Sequence, residues 1–135
     1  MIYAVIDTNV LVSSFLTRHA DSATARVVSA AESGRIIPLY NQEILEEYRE
    51  VLARPCFDFD PDKIQRVIDR LVEVGVDIEA RPWPESMPDE DDRVFFEVAF
   101  SAQDADAKLV TGNIKHYPQV NFVVTPAQMI AIIDS

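Results

Sequence analysis

Met1, Ile2, Val5 and Ile6 run without polar alternation, the pattern of a strand covered on both faces of an open α/β sheet. Asp21 or Ser22 can cap a helix reaching about Ser33, and Gly34 supplies a left-handed exit. Ile36 to Leu39 suit a second strand, and a second helix spans Gln42 to Ala53, stopped by Arg54-Pro55. Asp60-Pro61 opens a third helix to about Val74, with Gly75 after it. Val76 to Ile78 are expected as a third strand. Residues 81–88 read as a proline-stiffened connector, too short and apolar for a domain linker. Asp89 to Asp92 lead into an apolar helix through Phe100. Lys108-Leu109-Val110 and Asn121 to Val124 form the last strands, and Thr125-Pro126 caps a final helix, Ala127 to Ile133. Strands alternating with helices predict an α/β fold with a parallel sheet and right-handed crossovers. No internal repeat and only three glycines make one domain over residues 1–135 the expected organisation.

Composition narrows the partners. With 48% hydrophobic and 26% charged residues, 135 residues suffice for one globular core. The single cysteine, Cys56, has neither a disulfide mate nor a metal-ligand companion, so a reducing cytoplasm is the expected compartment. Neither a leader nor a long apolar run is recognised, so secretion and membrane insertion are not expected. Twelve basic against 23 acidic residues give a net charge of -11, the wrong sign for binding nucleic acid through a basic face. That exclusion lifts where acids converge on divalent cations, which invert the local field. The bulk charge also suits a basic partner.

The acids therefore carry the functional question. Asp7 stands where the first strand stops, with Thr8 and Asn9 beside it, and ligands of open sheets sit beyond the carboxyl ends of strands. The alternative is a turn-capping Asp. On the second helix, Ile44, Tyr48, Val51 and Leu52 define a buried stripe; Glu47 falls nearest its edge, and Glu46 points almost oppositely. A solvated acidic helix face is the competing reading. Asp92 shares a helix face with Phe95, Phe96 and Ala99, although capping or a solvated loop also accommodates the run Asp89-Glu90-Asp91-Asp92. In the segment Leu109 to Pro118 a further strand ends on small polar residues. Thr111 and Asn113 are expected beside Asp7 if the two strands are neighbours. His116 reads as a structural or hydrogen-bonding histidine, with a base as the alternative. No pair of histidines or cysteines has zinc-ligand spacing. Clustered carboxylates without histidine ligands prefer Mg²⁺ or Mn²⁺, a site suited to phosphodiester hydrolysis.

Asp7-Thr8-Asn9-Val10-Leu11-Val12-Ser13, Glu46-Glu47-Tyr48 with Val51-Leu52, Asp91-Asp92 with Phe95 and Ala99, Leu109-Val110-Thr111-Gly112-Asn113, and Thr125-Pro126 together resemble a PIN domain, in particular the VapC-like toxins of toxin–antitoxin systems. The resemblance implies a three-layer sandwich, a mostly parallel sheet flanked by helices. It implies a Mg²⁺- or Mn²⁺-dependent endoribonuclease acting on single-stranded RNA, a homodimer held by a cognate antitoxin. Asp7, Glu47 and Asp92 match the family's first three acids, and Thr8 and Thr111 match small polar positions around the site. Many relatives carry a fourth acid where this chain has Asn113, an oxygen ligand without charge. Asp89 and Asp91 are candidates to compensate. The alternatives are a catalytically inactive PIN fold that binds RNA or protein, and a phosphoacceptor domain using Asp7. The latter is disfavoured because Asn9 stands where such phosphatases carry a second Asp.

Overall fold

Strand β1 (Tyr3–Ile6) lies at the centre of the molecule, with Ala4, Val5 and Ile6 all buried. It is described, with the rest of residues 1–135, by a computed structural model. On one side β1 pairs with β2 (Ile37–Tyr40), which pairs with β3 (Val76–Asp77). On the other side it pairs with β4 (Lys108–Val110), which pairs with β5 (Val123–Val124). All pairings are parallel and the order is β3-β2-β1-β4-β5. The chain works outward from β1 to β3 and then returns to the other side of β1. The junction of β1 and β4 is therefore where the direction of winding switches, the place where open parallel sheets form clefts.

Helices flank the sheet as a three-layer sandwich, and each begins for an identifiable reason. Helix α1 (Thr8–Leu16) follows β1 without any loop. Ser22 caps α2 (Ala23–Glu32) by accepting from the Ala25 amide, and Gly34 leaves it at φ 83°, in the left-handed region. Asn41 caps α3 (Gln42–Leu52) and Asp60 caps α4 (Pro61–Val74), which has proline in its first turn. A 3-10 turn, Glu90–Asp92, leads into α5 (Arg93–Ser101), which packs on β1, β2 and β4. Thr125 and Gln128 form a reciprocal capping box at the start of α6 (Pro126–Asp134). No helix is long and apolar enough to cross a membrane.

The expected elements are present with small boundary shifts, and one was missed. No element was expected between β1 and the helix capped at Asp21 or Ser22, yet residues 8–16 form α1, whose buried side is Thr8, Val10 and Leu11. Three β-branched residues near its start mask the helical period, because their propensity is against a helix and only packing overrides it.

Val67, Ile68 and Leu71 of α4 are buried in a core of 35 residues. Gly75 ends that helix where the chain turns into β3. A Cβ there would lie 2.3 Å from the Pro38 carbonyl oxygen and 2.6 Å from that of Leu71, both backbone atoms. Its conformation, φ -88°, is open to any residue, so close approach rather than φ requires glycine. Gly75→Ala is expected to destabilise the protein by roughly 1–3 kcal/mol through forced backbone movement, measured as a lower urea midpoint. An unchanged midpoint would mean that β3 is free to shift.

Candidate active site

The buried polar residues of the protein number three, Asp7, Thr8 and Thr111, and all lie at the β1–β4 junction. The ladder continues one residue past each strand: the Asp7 amide donates to the Val110 carbonyl at 2.9 Å, and the Thr111 amide to that of Val124 at 3.0 Å. Adjacent backbone thus sets the two side chains together. The Thr111 hydroxyl donates to Asp7 Oδ2 at 2.8 Å, as does the Tyr117 phenol, and Asn9 Nδ2 approaches the same oxygen at 3.4 Å. Although Asp7 occupies the N-cap position of α1, its carboxylate makes no capping bond. Its two shortest hydrogen bonds come from Thr111 and Tyr117, outside the turn that follows it, from which Asn9 approaches at 3.4 Å.

Glu47 enters from the inner edge of α3 and accepts a short hydrogen bond from the Thr8 hydroxyl. Next to it, buried Tyr48 donates to the Ile6 carbonyl, tying α3 to the end of β1. Glu46, on the opposite side of the helix, is exposed and accepts from Gln42.

The four consecutive acids divide their work. Asp89 caps the 3-10 turn by accepting from the Asp91 amide. Glu90 pairs with Arg93, whose guanidinium also donates to the Trp83 and Glu85 carbonyls and so holds the proline-rich connector against α5. Asp91 is exposed at the mouth of the site. Asp92 turns inward on the face that buries Phe95, Phe96 and Ala99. There it meets His116, whose Nδ1 lies 3.0 Å from Asp92 Oδ2 and 3.5 Å from Asp89 Oδ2.

Asp7, Thr8, Asn9, Glu47, Asp92 and Asn113 line one open cleft of about 480 Å³, with Asp89, Asp91 and His116 at its side. The tightest set of metal-ligating atoms within it is Asp89, Asp92 and His116, all within 4.8 Å of one another. Asn113 shares the cleft with Asp7 but makes no hydrogen bond to it. Its side chain hydrogen-bonds His116 at 2.8 Å, and of the two residues it is Thr111 that bonds Asp7.

Burial pushes the Asp7 carboxyl above its ordinary range, against the hydrogen bonds from Tyr117 and Thr111. Glu47 is raised as well, first by burial and further by the charges of Asp7 and Asp92, with the Thr8 bond opposing. Asp92 is raised by burial and by Asp7, with His116 opposing. Tyr117 is pushed far up by burial and by Asp7, so it remains a phenol and a donor. Three half-buried to buried acids that repel one another, in a wall of carboxylate, amide and hydroxyl oxygens, fit a hard divalent cation.

Several of these contacts had no signal in the sequence. Tyr117 follows an irregular segment with no periodicity to assign it a face, and it became visible as a site residue only through its bond to Asp7. His116 was legible as a hydrogen-bonding histidine but not its partner, since Asp92 is 24 residues away.

The family described as PIN domain matches residues 3–115 of the chain. No match was found among curated proteins or among solved structures.

The raised acids fix the sign of a stability effect. Below the ordinary Asp range the Asp7 carboxyl is protonated in both folded and unfolded chains, and its burial adds no charge penalty. As pH rises through that range toward the raised folded value, the unfolded chain ionises first and metal-free stability falls. Asp7→Asn keeps an oxygen acceptor without charge. It is expected to raise the melting temperature of metal-free protein by a few degrees at about pH 7 and to leave it unchanged at about pH 3, read by thermal unfolding in a chelator. A variant that melts lower at the higher pH would show that ionised Asp7 stabilises the fold.

Proposed function

The chain belongs to the PIN-domain family, and from that premise we propose that it is a Mg²⁺- or Mn²⁺-dependent endoribonuclease cutting single-stranded RNA. PIN domains are generally metal-dependent nucleases, and the arrangement of acids here is of that kind. The observation that carries the proposal is the convergence of Asp7, Glu47 and Asp92 on one cleft, from the end of β1, the middle of α3 and the start of α5. These three would hold the cation, and Thr8, Asn9, Thr111 and Asn113 would shape the polar wall around it. When bound, such an ion lowers the pKa of a water, neutralises the scissile phosphate and steadies the departing oxygen.

The residues themselves perform the rest. Thr111 and Tyr117 both donate to Asp7 Oδ2, which fixes that carboxylate in one orientation. Thr8 does the same for Glu47. Glu47 and Asp92 are only partly buried, so either can accept a proton from an attacking water at the open side of the cleft. The walls offer RNA no basic side chain other than His116. Attraction for a phosphate therefore depends on the cation rather than on the protein surface, consistent with a net charge of -11.

In its biological setting we take the protein to be a cytoplasmic toxin component, a homodimer of one domain spanning residues 1–135, neutralised by a cognate antitoxin. A basic antitoxin segment suits the acidic surface. The alternative of a non-catalytic RNA- or protein-binding module is separated by Mn²⁺ calorimetry, since a module lacking a metal site takes up no ion.

Purified protein is expected to cut labelled single-stranded RNA with Mg²⁺ or Mn²⁺ and to stop when EDTA is added. Asp7→Asn and Asp92→Asn are each expected to lower the cleavage rate roughly 10²–10³-fold, the loss of several kcal/mol of charge stabilisation. Cleavage that persists in EDTA, or that both variants retain, would defeat the mechanism.

A further inference from the structure

Asn113 is an uncharged residue on the wall of the cleft, and its contacts give it a defined task. An ionised carboxylate only accepts hydrogen bonds, so the 3.0 Å contact of His116 Nδ1 with Asp92 Oδ2 requires the proton on Nδ1. In a neutral imidazole, Nε2 then carries a lone pair and needs a donor. The Asn113 side-chain amide, 2.8 Å away, is that donor. An Asp or Glu at 113 would be satisfied at Nε2 only by a second ring proton, which would make the ring an imidazolium held between two carboxylates.

The backbone holds this pair in register. The Asn113 carbonyl accepts from the His116 amide at 3.1 Å across a single 3-10 turn, Ile114–His116, so the two side chains stay on the same side. The Asn113 amide in turn donates at 3.0 Å to the Thr111 hydroxyl, which donates onward to Asp7 Oδ2. One run of hydrogen bonds therefore links two of the carboxylates of the cleft, in the order Asp7, Thr111, Asn113, His116, Asp92. Each link has a defined direction, and reversing any one leaves two acceptors or two donors facing each other.

We propose that His116 is a positioning residue that fixes the Asp92 carboxylate for cation binding, and that Asn113 acts by holding the imidazole in the Nδ1–H tautomer. This rests on the nuclease reading above and goes beyond it. The uncharged side chain at 113 serves as a donor to the imidazole, and the carboxylates that would hold the cation are Asp7, Glu47 and Asp92. Outer hydrogen-bond partners of this type orient ligands, and their loss costs metal affinity without removing a ligand.

The test combines two readouts. Calorimetry with Mn²⁺ alone is expected to show His116→Ala weakening binding about 10–100-fold. His116→Asn, whose amide nitrogen falls near the position of Nδ1, should recover most of that loss. The side chain of His116 is 44% exposed, so neither change opens the core. Nitrogen NMR of the imidazole in metal-free protein is expected to show the Nδ1–H tautomer in the wild type and its loss in Asn113→Ala. Unchanged Mn²⁺ affinity in His116→Ala, or an Nε2–H tautomer in the wild type that still takes up Mn²⁺, overturns the positioning role alone. Equal weakness of His116→Asn and His116→Ala makes the imidazole a direct ligand and likewise overturns it. A wild type that takes up no Mn²⁺ removes the nuclease reading, and the positioning role with it.

Discussion

A carboxylate buried at the end of the central strand is the constraint around which the rest of this structure is arranged. Asp7 is 5% exposed, and an isolated ionised acid in such a place would cost several kcal/mol. Two strong donors, Thr111 and Tyr117, reduce that cost, and each makes a structural demand of its own. Thr111 must follow β4, so β4 must lie beside β1. Tyr117 must reach back under the β4 loop, so its ring is buried against Phe96, the two centroids 6.4 Å apart. The aromatic layer continues from Phe96 to Trp83, which packs edge-on at 4.9 Å. Polar satisfaction of one acid and packing of α5 are thus parts of a single arrangement.

That arrangement explains how function and stability oppose each other here. Burial raises Asp7, Glu47 and Asp92 together, and their mutual repulsion adds to the last two. A sequence selected for stability alone would replace one of them with an uncharged residue. Instead the molecule retains three repelling acids and surrounds them with hydroxyl and amide donors that offset part of the cost of burial but bring no countercharge. Strain of this kind is expected where a bound cation completes the charge balance.

How much of this could be read from the amino-acid order depends on which forces were local. Periodicity sufficed for β1, β2 and α3, and capping signals for α4 and α6, because Asp60 and Thr125 act on amides two or three residues away. They failed for α1, whose Val10 and Val12 resemble strand residues and whose start coincides with the end of β1. Glu47 was distinguishable from Glu46 by helical geometry alone. The partner of Asn113 was not: its position in the sequence pointed toward Asp7, whereas a one-turn reversal after Gly112 carries its side chain to His116. Contacts decided by irregular backbone, such as that of Tyr117 with Asp7, have no periodic trace to follow.

The acidity of the whole molecule looks incompatible with an RNA substrate until distance is considered. At physiological ionic strength, exposed charges are screened beyond about 8 Å. Most of the surface acids, such as Asp58, Asp62, Glu73 and Asp104, are exposed and belong to elements that do not line the cleft. What a phosphate meets inside the cleft is set by Asp7, Glu47, Asp89 and Asp92, less screened because they are partly walled off from solvent, with Asp91 exposed at its mouth. A divalent ion there cancels two charges at contact distance, where electrostatics is strongest, while the remote acids contribute little either way. Net charge therefore governs how the protein meets its partners at long range. On the proposed nuclease reading, the field at a scissile bond would belong to the cleft, and the same acids that would repel RNA in the absence of an ion would become the reason it could be held in its presence.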